Sequence, residues 1–411
     1  MKMGMIGAGF ISRFQVTAMQ QVRGWEISAI LKRGGSEALA DAVRRSEMGR
    51  PKIVDSVREV VENCDVVAIY SPNYTRVETM EEIVDAVRGG ASLKGLICEK
   101  PLGRNVREAR RMVELAAETG VPSAYFENQL FMKPLRSQLD QLRGVQEVMG
   151  PLALVRSSEE HAGPHEPWFW DPVRQGGGVL NDMGCHSIAV GWYALTPVGK
   201  PLQHLKPTSV SADVALLKWG RPQWRRQLQE RHGVDYGKTP AEDFATGMIT
   251  YQHPDGGPLC KAQFTNSWMF EKQGLRIFAD GIGPGYAFEI NTLVSPSTAF
   301  IGDEAAEAIA DQEKALEKAT ASRGLLTIQY NEADLYGYTD ENLDALEAFR
   351  NGRDAMLPWS YGLEVTRLVM AAYKAAEEGR TVDLTDPKTL EDLESYVPAI
   401  ARGEGAGVLG V

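Results

Sequence analysis

The sequence predicts an α/β chain in two parts: a doubly wound parallel sheet at the N-terminus, then a C-terminal α/β domain built on an open, mainly antiparallel sheet. Three observations predict it. The 411 residues exceed what one hydrophobic core usually spans, so about two domains are expected. Residues 1 to about 130 alternate short apolar runs with segments that carry apolar residues at helical spacing. From about residue 150, strand-like runs follow one another with turn residues between them.

The runs "MGMIG", "EISAIL", "KIVD", "DVVAIY", "LKGLIC" and "PSAYF" are the strands of the first part. Between them, "SEALADAVRRSEM", "SVREVVENC", "RVETMEEIVDAVRGG" and "NVREARRMVELAAETG" read as helices, and the alternation gives βαβ units with helices on both faces. In the second part "PLALVRSSEE", "TSVSADVALL", "ATGMITYQ", "LCKAQFTN", "GLRIFAD" and "GYAFEIN" are strands, with "HPDGGP" and "DGIGPG" as turns. Residues 221–243 are polar and irregular and read as an inserted loop with a helical turn or two. From 340, "DENLDALEAFRNG" and "YGLEVTRLVMAAYKAAEEG" return to helices. The expected division is 1–130 and 131–411, the final helices packing back towards the first domain.

Composition excludes several classes. A net charge of −11 with no clustered Lys or Arg argues against a nucleic-acid partner. No apolar stretch nears the roughly 20 residues that span a bilayer, and the N-terminus enters a strand at once without a signal-peptide pattern. Cys64, Cys98, Cys185 and Cys260 lie far apart, with neither a Cys-x-x-Cys pair nor zinc-ligand spacing. Reduced thiols in the cytoplasm are expected, and no metal.

Four motifs carry chemistry. "MIGAGFIS" follows the first strand: Gly7 and Gly9 permit a tight turn and close approach to a pyrophosphate, Phe10 and Ile11 open the helix whose N–H groups face it, and Ser12 stands where a third glycine is usual. The plain alternative is a ligand-free strand-to-helix turn. After the second strand, where an acid would hold the ribose of NAD, stand Lys32 and Arg33, either a 2′-phosphate site or two solvated charges, so the cofactor is NAD or NADP. "ICEKPLGRNV" sets Glu99 and Lys100 at a strand end, a surface charge or a cation aimed into a cleft. "GGGVLNDMGCH" spaces Asp182 and His186 four apart, one face of a helix, after glycines that let backbone pass close to a ligand. The alternative there is an N-cap and a core histidine.

Just ahead of that motif, "HAGPHEPWFWDPVRQGGG" gathers His161, His165, Trp168, Phe169, Trp170 and Arg174, and Arg156 precedes it. Aromatic faces stack on pyranoses, and His and Arg bond hydroxyls or an anionic group. The alternative is an aromatic satellite core under a loop. His161 and His165 have metal-ligand spacing, but Gly163-Pro164 between them opposes a helix and no third ligand is evident.

Taken together, "GMIGAGFIS", "YSPN" (70–73), "EKP" (99–101), "GGGVLNDMGCH" and the helical return near "AAYKAAEEGRTVDL" resemble the glucose-fructose oxidoreductase and inositol dehydrogenase family, Gfo/Idh/MocA, over nearly the whole chain. The resemblance implies a Rossmann domain plus a C-terminal α/β domain whose open sheet often forms a dimer or tetramer interface. It implies cofactor contacts from Ser71, Pro72, Asn73, Arg76, Glu99, Lys100 and Asn128. It gives Lys100 and His186 the proton of the substrate hydroxyl and Asp182 the orientation of the sugar. Arg76 departs from the pattern, which commonly has a histidine three residues after "SPN". The expected activity is hydride transfer from a ring hydroxyl of a sugar, sugar derivative or polyol to nicotinamide. The alternative is a NAD-dependent glycosidase that oxidises C3 transiently, eliminates, adds water and re-reduces, on an anionic glycoside such as a sulfosugar.

Overall fold

The six apolar runs of the first half become six parallel strands in a computed structural model, which describes all residues except 255, 273, 295–297, 302–323 and 328–330. They are β1 (Lys2–Ile6), β2 (Glu26–Leu31), β3 (Lys52–Val54), β4 (Val66–Ile69), β5 (Gly95–Glu99) and β6 (Ser123–Phe126). Their spatial order, β3-β2-β1-β4-β5-β6, reverses direction between β1 and β4, where open α/β sheets bind ligands. β4 and β5 are buried along their whole length, because helices cover both faces; that is why they read as continuous apolar runs. Each fully buried Val or Ile there contributes about 2 kcal/mol.

The helices between them are α1 (Phe10–Met19), α2 (Ser36–Arg45), α3 (Val57–Glu62), α4 (Arg76–Arg88) and α5 (Val106–Thr119). Local chemistry sets their ends. Ser56 and Glu59 close a capping box on α3; Asn105 caps α5, which stops at Gly120 with φ 65°. The later helix Tyr338–Arg350 adds Ala345, Leu346 and Phe349 to the same core. Contacts accordingly divide the chain into one unit of Met1–Lys133 with Tyr336–Arg367 and a second of Pro134–Leu335 with Leu368–Val411.

The second unit holds a seven-stranded sheet. Its labelled strands are β7 (Leu154–Glu160), β8 (Lys206–Ala215), β9 (Phe244–Gln252), β10 (Cys260–Ser267), β11 (Arg276–Gly283) and β12 (Tyr286–Asn291). The order is β12-β11-β7-β10-β9-β8 followed by the short strand Val382–Asp383, and every pairing is antiparallel except β7 with β10. The helix Cys185–Leu195 packs across β7 and β10. It comes close: a Cβ at Gly191 would sit 2.7 Å from that of Ala262.

Two expectations are corrected. β11 runs through Gly283, so the turn predicted over 280–285 narrows to Pro284 and Gly285, with Gly283 paired to Tyr286. The segment 221–243 holds a three-turn helix, Pro222–His232, begun by proline at its first position and ended by Gly233 at φ 70°. Leu228 is its one buried residue, so the apolar periodicity that would announce it is missing. Among the described residues no helix is long and apolar enough to cross a membrane.

Candidate active site

In the first unit the candidate residues sit at strand ends. β1, β4 and β5 are neighbours in the sheet, and their C-terminal ends lead directly into Gly7–Gly9, Ser71–Asn73 and Lys100. Gly7 has φ 115°, and a Cβ on it would lie 2.6–2.7 Å from the backbone of Tyr70 and Ser71. Only glycine fits there. At Gly9 nothing lies within 4 Å of where a Cβ would be, and α1 begins beyond it with neither a side-chain cap nor an acid in its first turn. A ten-residue helix that starts without a side-chain cap, beside an open backbone approach, fits a pyrophosphate. Ser12 is buried and donates to the Gly7 carbonyl (2.9 Å), which shows what the residue in the third-glycine place does.

Lys100 follows β5, half-buried, and Lys100–Pro101 is a cis peptide bond. Behind it Glu99 is buried and accepts from Gln15 Nε2 (3.0 Å), which also donates to Glu341 Oε1 (3.1 Å). Burial, with Glu99 nearby, pushes the Glu341 carboxyl well above the usual range. Arg76, expected among the cofactor contacts, is buried as a backbone clamp: its guanidinium donates to the carbonyls of Ser71 (3.2 Å), Glu99 (2.5 Å), Lys100 (3.3 Å) and Pro101. It thus ties the "SPN" and "EKP" segments together. Asn128 is likewise engaged, donating to the Tyr336 carbonyl (2.7 Å). Lys32 pairs with Asp55 (3.0 Å) on the surface, and Arg33 bonds the Lys32 carbonyl (2.8 Å).

In the second unit Asp182 lies in a wide turn, Leu180–Gly184, that runs straight into Cys185–Leu195. Such π-type turns inside α-helices are frequent at functional sites. Asp182 and His186 are both buried. Trp268 Nε1 donates to Asp182 Oδ2 (3.3 Å), and the carboxylate set against His186 Nε2 is Glu159 on β7 (3.8 Å). Asn266 on β10 knits this layer, its amide reaching Ser187 Oγ (2.8 Å) and the Met183 carbonyl (3.3 Å). Sequence reading missed Glu159 and Asn266. Strand alternation was their one signal: each is an inward polar residue on a half-apolar strand.

The glycine run 176–178 is also reassigned. Gly176 and Gly177 have φ 89° and 139°; a Cβ on Gly177 would meet the Tyr373 hydroxyl at 2.1 Å, and one on Gly178 the Glu242 carbonyl at 2.2 Å. Gly177 and Gly178 make room for Tyr373 and for Glu242. Glu242 is fully buried, and burial raises its carboxyl from 4.5 to about 7.

The aromatic loop divides. Trp170 is 1% exposed, ringed by Trp219, Trp268 and Tyr236, with its indole N–H given to Pro164, so it is core and not a platform. His161 is buried too, its Nδ1 accepting from Gly163 N (2.9 Å). Trp168 and Phe169 are half-buried and stacked at 3.8 Å, His165 is exposed, and exposed Arg174 lies 3.5 Å from Asp171. Arg156 alternates to the face of β7 opposite Val155, Ser157 and Glu159 and bonds Asp280 across the strands (2.9 Å), away from His186. Burial pushes the Cys98 and Cys260 thiols to about 11 and Cys64 to about 12, which leaves them poor nucleophiles. No group of three metal-binding side chains occurs among the described residues.

Residues 1–126 match the family model described as "Oxidoreductase family, NAD-binding Rossmann fold", and residues 145–281 match the "GFO/IDH/MocA C-terminal domain". The 1,5-anhydro-D-fructose reductase of Ensifer adhaerens is 29% identical over 187 residues, 44% of this chain and 53% of that protein. The chain spans about half the length of the curated relatives it matches. Among solved structures, GenD2 from gentamicin A biosynthesis, in complex with NAD, superposes with a TM-score of 0.71 at 19% identity, covering 93% of this chain and 96% of that one. The scyllo-inositol dehydrogenase of Lactobacillus casei, with NAD(H) and scyllo-inositol, gives 0.62 at 16%, covering 94% and 99%.

Proposed function

The chain belongs to the Gfo/Idh/MocA oxidoreductase family, and from that premise we propose that it is a NAD-dependent dehydrogenase acting on a ring hydroxyl of a sugar, sugar derivative or polyol. One observation carries the reading: the phosphate turn after β1 and Lys100 after β5 lie on either side of β4 at the C-terminal edge of one sheet. Bound NAD supplies the nicotinamide that accepts hydride. Gly7 and Gly9 bring backbone close to the pyrophosphate, and the uncapped start of α1 donates to it. Lys100 holds or relays the proton of the hydroxyl, His186 takes it with Glu159 stabilising the imidazolium, and Asp182 orients the ring. Trp168, Phe169, His165 and Arg174 offer stacking and donors to a polyhydroxylated ring. Relatives named for an anhydro-sugar and for inositol support that class. Lys32's ion pair with Asp55 supports NAD over NADP. The face of the second sheet that carries Arg156, Asp280, Glu160 and Arg276 serves self-association into a dimer or tetramer, and four free thiols suit the cytoplasm.

The test follows reduced nicotinamide and aglycone release together, over free sugars, polyols and aryl glycosides, with NAD and with NADP. Stoichiometric NADH from a free sugar or polyol is expected. Aglycone release on a trace of NAD, with no net NADH and with solvent deuterium entering at C2, overturns the reading in favour of the redox-neutral glycosidase.

A further inference from the structure

The segment that carries Asp182 and His186 begins with N–H groups that local sequence does not cap. Its start has no side-chain cap of its own, and Gly176 to Gly178 supply no acceptor side chain. Helix-type termini buried without partners are costly, so the acceptors must come from elsewhere in the chain. They come from two residues distant in sequence. Glu242 accepts from Gly178 N with both oxygens (2.9 and 3.0 Å) and from Leu180 N (3.0 Å), and its own carbonyl accepts from Val179 N (3.1 Å). The Tyr373 hydroxyl accepts from Gly178 N (3.1 Å) and Asn181 N (3.2 Å) and donates to Glu242 Oε1 (2.5 Å). Four consecutive N–H groups, 178 to 181, are thereby satisfied.

The next residue extends the brace. Asp243 accepts with its side chain from Leu217, Lys218 and Trp219 N (2.7, 2.8 and 2.7 Å), and its carbonyl accepts from Trp268 N (2.9 Å), the residue whose indole bonds Asp182. The dipeptide at the head of β9 therefore meets Asp182 twice, through the start of its turn and through Trp268.

We propose that Glu242 is a positioning residue for the reaction, its ionised carboxylate fixing the start of the Asp182–His186 segment with Tyr373 as its partner; this rests on the dehydrogenase reading above. Every hydrogen bond to the side-chain carboxyl is donated to it, so the ionised form accepts all of them, while desolvation favours the neutral form. Among the described residues, Tyr373 and Tyr236 interact with it and Asp243 follows it in sequence, none of them a cation, and desolvation lifts its pKa to about 7. Its charge state therefore changes in the neutral range.

Glu242→Gln keeps the shape and sets an amide NH₂ against N–H donors. In that variant NAD affinity is expected to stay within about twofold, since the cradle lies in the other unit. Amide exchange at 178–182 should speed about tenfold or more, and kcat should fall about 10- to 100-fold. The wild-type acid limb of kcat near pH 7 should flatten. Tyr373→Phe, which retains the carboxylate, gives smaller changes of the same sign and keeps the idea testable if Glu242→Gln does not fold. Wild-type exchange and wild-type kcat in a folded Glu242→Gln protein overturn the proposal. A wild type that oxidises nothing in the sugar and polyol panel sinks the dehydrogenase reading instead; exchange at 178–182 alone then decides, faster exchange supporting the role of Glu242 and unchanged exchange overturning it.

Discussion

Gly7 and Gly9 stand two residues apart and are glycine for opposite reasons. Gly7 is held by the protein itself, since its φ is 115° and the Tyr70–Ser71 backbone fills the space a Cβ needs. Gly7→Ala should destabilise the protein by about 2–4 kcal/mol, read as a lower urea midpoint. Gly9 has open space instead, so Gly9→Val should unfold at the wild-type midpoint and lose NAD affinity by tenfold or more in calorimetric titration. Unchanged affinity would remove the turn from the cofactor site. Lys100→Ala and His186→Ala test the chemistry: kcat should drop by about two to four orders of magnitude with NAD binding retained, and near-normal turnover in either would contradict the assigned role. These residues were legible because each stands in a short motif. The clamp made by Arg76 was not legible, because a guanidinium bonding four carbonyls at the ends of β4 and β5 is a fact of sheet order, which a linear motif does not encode.

At the scale of elements, the first sheet was legible nearly strand by strand, since a parallel sheet buried on both faces writes itself as runs of Val, Ile and Ala between amphipathic helices. The polar helix Pro222–His232 was not, although proline at its start and glycine past its end were both in view. The glycine run before Asp182 suggested a ligand because glycine signals close approach without naming what approaches. Trp170 shows the same limit: aromatic residues in a loop look alike whether they face solvent or, as here, four other aromatic rings.

At the scale of the whole molecule, Glu242 predicts a pH dependence of stability. Its carboxyl rises from 4.5 to about 7 on folding, so between those values the folded protein binds more protons than the unfolded chain. The stability from this group is fully present below about pH 4.5 and is lost as pH rises through about 7. Between pH 5 and 8, wild type should lose about 2–3 kcal/mol more unfolding free energy than Glu242→Gln, measured by urea titration at both pH values; parallel losses would show that the group does not titrate there. The pairing of β7 has another consequence, one of time. Leu154 lies beside Lys261 on one side and Ile282 on the other, so the strand leaves the ribosome more than a hundred residues before either neighbour exists. At about 5–20 residues per second of synthesis, it waits about 5–20 s as an unpaired edge. During that interval its unpaired N–H and C=O groups are open to pairing with a strand of another molecule.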